Sequence, residues 1–260
     1  MPSEPEPAFR LAVAPRFAID PAWPERLRCC DGVVVDAGTG EARPRGDWAA
    51  VSASTLPALV DREAGGASAL PPTHLGLVQL PERLRRAWWT RAEQADGGRE
   101  GTVEPALADI AEFFRFKGLP LPEHTILEVV VSAPGLRSTG HRQGNDARTG
   151  LGFGERAPGP DVPGRLPAGV VNLGDEESFV ALLTLPAQTL AMRLIAAGIA
   201  GADTFAPQTL ATRYLATFPG EPVLRVRLEP GEGLWLSPFG VVHDGWTEEK
   251  TDVDVILRVG

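Results

Sequence analysis

Cysteine is scarce in this chain. Its 260 residues include only Cys29 and Cys30, which are adjacent, so no disulfide framework can staple the fold. Two reduced thiols in a reducing compartment are expected. A basic stripe is also missing. Lys and Arg number 25 against 34 Asp and Glu, a formal charge of −9, and a nucleic-acid partner is therefore not expected. Long apolar runs are absent. The most hydrophobic stretch, residues 181–200, contains Pro186, Gln188 and Arg193 and cannot span a bilayer unaided. The opening Met1-Pro-Ser-Glu-Pro-Glu-Pro lacks the basic and then apolar order of a signal peptide. A cytoplasmic protein with no membrane partner is the expectation. Histidine is the last scarcity, with His74, His124, His141 and His243 making up the full set.

What is present suits one domain with a substantial core, since hydrophobic residues make up 43% of the chain and rolls of this length often stay undivided. Residues 1–24 are Pro-rich and weakly patterned and read as an arm. Residues 25–121 read as a helical flank. Within it, Val33 to Val35 form a short strand before the turn at Gly38-Thr-Gly40, and residues 75–80 form another. Pro81 sits where a first helical position would, ahead of a helix reaching about Ala95. Thr102 and Glu104 open a third helical pattern, with Leu107, Ile110, Ala111 and Phe114 on one face.

The character changes at residue 122. Short β-branched runs at 125–132, 168–173, 178–185, 222–228, 233–237 and 252–259 alternate with Gly- and Pro-rich turns, and helices are predicted at 187–197 and 207–218. Helices first and short strands later give an α+β domain with an antiparallel double-sheet roll, a jelly roll, over residues 122–260. The two late helices interrupt the roll and would suit a lid.

Two segments carry the chemistry. The first is Glu229-Pro-Gly-Glu-Gly-Leu-Trp-Leu-Ser-Pro-Phe-Gly-Val-Val-His243-Asp-Gly, followed by Arg258 on a final strand. The second is Gly140-His141-Arg-Gln-Gly-Asn-Asp146-Ala-Arg148-Thr-Gly-Leu151. Positions two apart on a strand face the same way, so His141 and Gln143 can serve one site. Together the segments resemble the metal motifs of the Fe(II)/2-oxoglutarate-dependent oxygenases, over residues 125–260. That resemblance implies a double-stranded β-helix core with flanking N-terminal helices. It implies a mononuclear iron(II) held by His141, His243 and a third ligand, with Arg258 binding the far carboxylate of 2-oxoglutarate and Asn172, in Val171-Asn-Leu-Gly-Asp175, as a polar wall. O₂ and a small molecule, an amino acid or natural-product intermediate, would be the other partners. Two imidazoles and a carboxylate on one face of iron leave positions for cosubstrate and O₂.

Here the chain departs from the pattern, because Gln143 stands in the carboxylate slot. Three readings stay open: Gln143 binds through its oxygen, Asp146 reaches in from the turn, or an anion such as chloride completes the site, as in related halogenases. Arg225 and Arg227 are alternative carboxylate anchors, and Trp235 is a candidate pocket wall. The rival is a cupin-type binding protein or isomerase in which His243 and Asp244 act as acid and base without iron.

Overall fold

The computed structural model describes residues 9–14, 16–62, 74–96, 102–119, 121, 125, 127–138, 141–143, 146–148, 151, 169–199, 207–236 and 240–259. The N-terminal part contains β1 (Arg10–Val13), a 3-10 turn (Trp23–Arg26), β2 (Arg28–Cys30), β3 (Val33–Val35), β4 (Ala42–Pro44), β5 (Ala49–Ala50), α1 (Leu56–Leu59), β6 (His74–Gln79), α2 (Glu82–Asp96) and α3 (Glu104–Phe116). The C-terminal part contains β7 (Leu127–Ser132), β8 (His141–Gln143), β9 (Asp146–Arg148), β10 (Gly169–Asn172), β11 (Ser178–Leu182), α4 (Ala187–Ala196), α5 (Pro207–Thr217), β12 (Val223–Leu228), β13 (Glu232–Trp235), β14 (His243–Trp246) and β15 (Asp254–Val259). The domain is α+β. Its strands form a six-stranded sheet in the order β1-β6-β13-β10-β15-β7, a five-stranded sheet in the order β14-β11-β12-β2-β5, and the hairpins β3-β4 and β8-β9. Among the described residues no helix is long and apolar enough to cross a membrane.

Alternation sorts the strand residues into layers. Leu75, Leu77, Val170, Leu234 and Ile256 of the six-stranded sheet meet Val180, Leu182, Leu224, Val226 and Leu228 of the five-stranded sheet in one apolar cluster between the two. The opposite face of the six-stranded sheet, with Val78, Val171, Trp235, Val255, Leu257 and Val259, packs on Leu84, Trp88, Ile110 and Phe114 of α2 and α3. The outer face of the five-stranded sheet, with Ala181 and Val223, packs on Leu190, Leu194, Leu210, Tyr214 and Leu215 of α4 and α5. Each sheet thus carries a helix pair on part of its outer face.

Three expectations are corrected. Residues 9–24 are not an arm, because β1 pairs in parallel with β6, and Phe9, Leu11 and Trp23 are buried; alternating apolar side chains at Phe9, Leu11 and Val13 hold them there. The segment 25–121 holds more strands than the two expected at Val33–Val35 and 75–80, because β2 and β5 join the five-stranded sheet. The helices α4 and α5 are a fixed layer and not a lid. Their apolar stripes are in the core, and Arg193 donates to the hydroxyl of Tyr214 at 2.8 Å and to Glu221 at 2.9 Å across the pair.

The connections 173–177, 229–231 and 247–253 all lie at one end of the sheets. A buried polar network closes that end. Asn172 donates to the carbonyls of Glu176 (2.8 Å) and Leu228 (3.0 Å) and accepts from the Gly174 amide at 2.8 Å. Lys250 lies 3.1 Å from Asp254, both side chains almost fully enclosed, and donates to the Glu177 carbonyl at 2.7 Å. Ser178 donates to the same Asp254. On the outer face, Arg85 and Trp89 of α2 donate to the carbonyls of Gly174 (2.8 Å) and Leu173 (2.6 Å). Removing one partner of a buried pair strands the other charge. Asp254→Ala should therefore lower unfolding free energy by about 3–5 kcal/mol, measured by urea denaturation, and the double variant Asp254→Leu with Lys250→Met should lose less than the single one.

Candidate functional site

Register places the expected residues at the opposite end. On β14, His243 pairs with Leu182, and directly paired residues of antiparallel strands share a face. Leu182 belongs to the cluster between the sheets, so His243 occupies an inner position. On β15, Arg258 pairs with Val170 of β10 on one side and Glu128 of β7 on the other. Val170 is likewise in the inter-sheet cluster, which puts Arg258 and Glu128 on the inner face. Val255, Leu257 and Val259 take the helix-covered face. Both His243 and Arg258 are half-buried. They stand on different sheets and at the same end, remote from the connections.

The local chain fixes His243. Its Nδ1 lies 2.9 Å from the carbonyl of Val241. A carbonyl only accepts, so Nδ1 donates to it. Histidines that bind a metal through Nε2 commonly have their other nitrogen oriented by the backbone in this way. Three residues on, Trp246 is fully buried, edge-on to Trp48 with ring centroids 5.3 Å apart, and pins the strand.

The hairpin β8-β9 brings the second segment to a defined register. Gln143 pairs with Asp146 and His141 with Arg148. The chain does turn back after Gln143, and the positions of His141, Gln143 and Asp146 fall on one face of the hairpin by pairing alone. The side chains of this hairpin lie outside the described residues. Among the described side chains no group of three His, Cys, Asp or Glu is spaced to hold a metal ion.

Other candidates have different roles. Asn172 is fully buried and both its amide protons are engaged by carbonyls at the connection end, so it braces the two sheets and is not the polar wall expected beside Arg258. Trp235 faces α3, 5.9 Å from the Phe114 ring, and does not line the inter-sheet space; Gly169 permits this, since a Cβ there would lie 2.8 Å from the indole. Asp244 is adjacent to His243 on a strand and so faces the other way. It accepts from Ser138 and from the Gly245 amide. His74 opens β6 with Nε2 3.0 Å from Asp61. His124 lies outside the described residues. Burial pushes both cysteine thiols above their ordinary range, which keeps them in the unreactive, protonated form.

Arg225 and Arg227 pair with Ala181 and Phe179, on the outer face of the five-stranded sheet. They border a groove of about 530 Å³ with Arg26, Arg28, Phe179 and Glu249. Arg225 sits 4.7 Å from the ring centres of both Trp48 and Phe179 and donates to both oxygens of Glu249. Arg227 pairs with Glu177 at 3.1 Å and Glu229 at 3.3 Å. These arginines neutralise carboxylates of the chain itself and face away from His243.

No family model, curated protein or solved structure matches the chain. The ties that frame the site, Ser138 to Asp244 above all, join segments 106 residues apart and have no local sequence signal. Arg225→Ala should remove two ring contacts and an ion pair, lowering stability by about 1–2 kcal/mol in chemical denaturation.

Proposed function

We propose that this chain is an iron(II), 2-oxoglutarate-dependent oxygenase acting on a small molecule, built on a double-stranded β-helix. The observation that carries the reading is the placement of His243 and Arg258 on inner faces of two different sheets at one end. The strand order supports it. From β7 onward the chain passes between sheets that read β13-β10-β15-β7 and β14-β11-β12, the interleaving expected of a jelly roll wound from paired strands.

The donor set fits a hard-to-borderline divalent iron. His243 would ligate through Nε2, His141 would supply the second imidazole, and Gln143 or Asp146 the third donor. Arg258 would hold the far carboxylate of 2-oxoglutarate, for which its planar fork is suited. Iron with 2-oxoglutarate and O₂ supplies the oxidising chemistry when bound. The protein's part is to orient. Val241 orients the imidazole, the apolar walls Leu182, Val170 and Leu234 exclude water, and Glu128 beside Arg258 limits the positive charge there. An amino acid or natural-product intermediate suits a site of this scale as substrate.

His243→Ala should abolish Fe(II) binding in anaerobic calorimetry while the fold survives, because losing one ligand from a site of few removes most of its affinity. Undiminished binding would overturn the metal assignment. Arg258→Ala should weaken 2-oxoglutarate by roughly 100-fold or more, since an unpaired buried carboxylate costs about 3–5 kcal/mol, with iron affinity little changed. The readout is the visible charge-transfer band of the anaerobic Fe(II)–2-oxoglutarate complex. Parallel iron titrations of Gln143→Ala and Asp146→Ala assign the third donor to whichever variant loses the metal.

A further inference from the structure

The segment that delivers His141 is docked along the strand that begins with His243. It leaves β7 at the connection end, where Ser132 pairs with Asp254. It then runs beside β14 toward the other end. The Gly135 amide donates to the Thr247 carbonyl and the Thr247 amide to the Leu136 carbonyl, both at 2.8 Å. The Leu136 amide donates to the Thr247 hydroxyl at 3.0 Å, and that hydroxyl donates to the Ala133 carbonyl at 2.8 Å. Arg137 pairs with Glu248 at 2.7 Å. Nearest the site, the Ser138 hydroxyl donates to Asp244, both residues buried.

These contacts differ in what they fix. The Thr247 set is at the connection end, and Arg137 and Glu248 are partly open to solvent. Ser138 to Asp244 is a tie close to both histidines in sequence, three residues before His141 and one after His243. Three residues of extended chain reach at most about 11 Å, so this bond bounds the distance between the strands carrying the two imidazoles. Asp244 is also held from its own side, its other oxygen accepting from the Gly245 amide at 2.8 Å, which aims the carboxylate at Ser138.

We propose that Ser138 and Asp244 are positioning residues, a buried hydrogen-bonded pair that sets the separation of His141 and His243 and so the affinity of the metal site. The proposal rests on the iron reading above. Neither residue touches the metal. Outer groups that orient ligands typically alter metal affinity 10–100-fold.

The experiment is titration with Co(II), an oxygen-insensitive probe whose visible absorption reports ligand number and symmetry, on the full chain. Wild type, His243→Ala, Ser138→Ala, Ser138→Thr and Asp244→Asn are compared, with thermal unfolding of each apoprotein alongside. Ser138→Ala is expected to bind Co(II) 10–100-fold more weakly with an altered spectrum. Ser138→Thr, which keeps the hydroxyl, should stay within about threefold of wild type. Asp244→Asn, with one carbonyl oxygen in place of two acceptors, should fall between them, and it decides the matter should Ser138→Ala fail to fold. Wild-type affinity and spectrum in both Ser138→Ala and Asp244→Asn, with binding lost in His243→Ala, would overturn the positioning role and leave the metal reading standing. No Co(II) binding by wild type, or full binding by His243→Ala, would overturn both.

Discussion

A strand with an apolar layer on each side has no face for water, so any polar side chain on it must find its partner within the protein. Much of both sheets is in that state; the outer face of the five-stranded sheet around Arg225 and Arg227 opens instead on a groove. The six-stranded sheet lies between the inter-sheet cluster and α2 and α3, the five-stranded sheet between the same cluster and α4 and α5. Period-two alternation then decides what each residue can do. An outward position on β15 belongs to the packing on α3, as Leu257 does, and an inward one opens on the space between the sheets, as Arg258 does. Shifting that register by one residue would exchange the two sets, which is why it is so strongly specified.

The two ends of the inter-sheet space use their polar residues differently. At the connection end, Asn172, Ser178, Lys250 and Asp254 engage one another and nearby carbonyls, and the network is closed on itself. A fully satisfied buried network rigidifies the core it sits in. At the other end the inward polar residues come from three strands, Glu128, His243 and Arg258, and are half-buried. The inter-sheet space thus has a buried polar anchor at one end and half-buried polar side chains at the other.

Much of the scaffold was legible. Val33 to Val35, the helix after Pro81, the helix containing Ile110 and Phe114, and the strand ending at Val259 carry strong local patterns, and the structure has each. The inward turn of Arg258 was legible only as one of two alternatives, because alternation gives two faces and does not say which is inside. Here both are covered, so the valine face is packed on helices and the arginine face still looks inward. What was illegible was nonlocal. β1 belongs to the six-stranded sheet through pairing with a strand 64 residues later, Arg10 opposite His74. Asn172 looked like a site residue because its segment resembled one, and its actual partners include the Leu228 carbonyl, 56 residues away. Trp235 faces a helix for want of a Cβ at Gly169, a fact that needs the strand order before it means anything.

The same reasoning bears on the residue that departs from the oxygenase pattern. A glutamine at position 143 looked like the loss of a carboxylate, because the two-residue spacing from His141 counts positions along one strand. The hairpin adds a second route to the same face, since Asp146 stands directly across from Gln143. Cross-strand partners have their Cβ atoms about 4.5–5.5 Å apart, closer than the two residues that share a face along one strand. A carboxylate carries the charge that a divalent cation requires, and an amide oxygen does not. On charge, the cross-strand acid is the stronger donor; on spacing, the glutamine occupies the familiar slot. The hairpin makes these two neighbours, so an amide and a carboxylate can share one side of a site, the amide bonding to the acid or to a ligand while the acid carries the charge. The pairing therefore puts an amide and a carboxylate at facing positions of the hairpin, which spacing along one strand does not reveal.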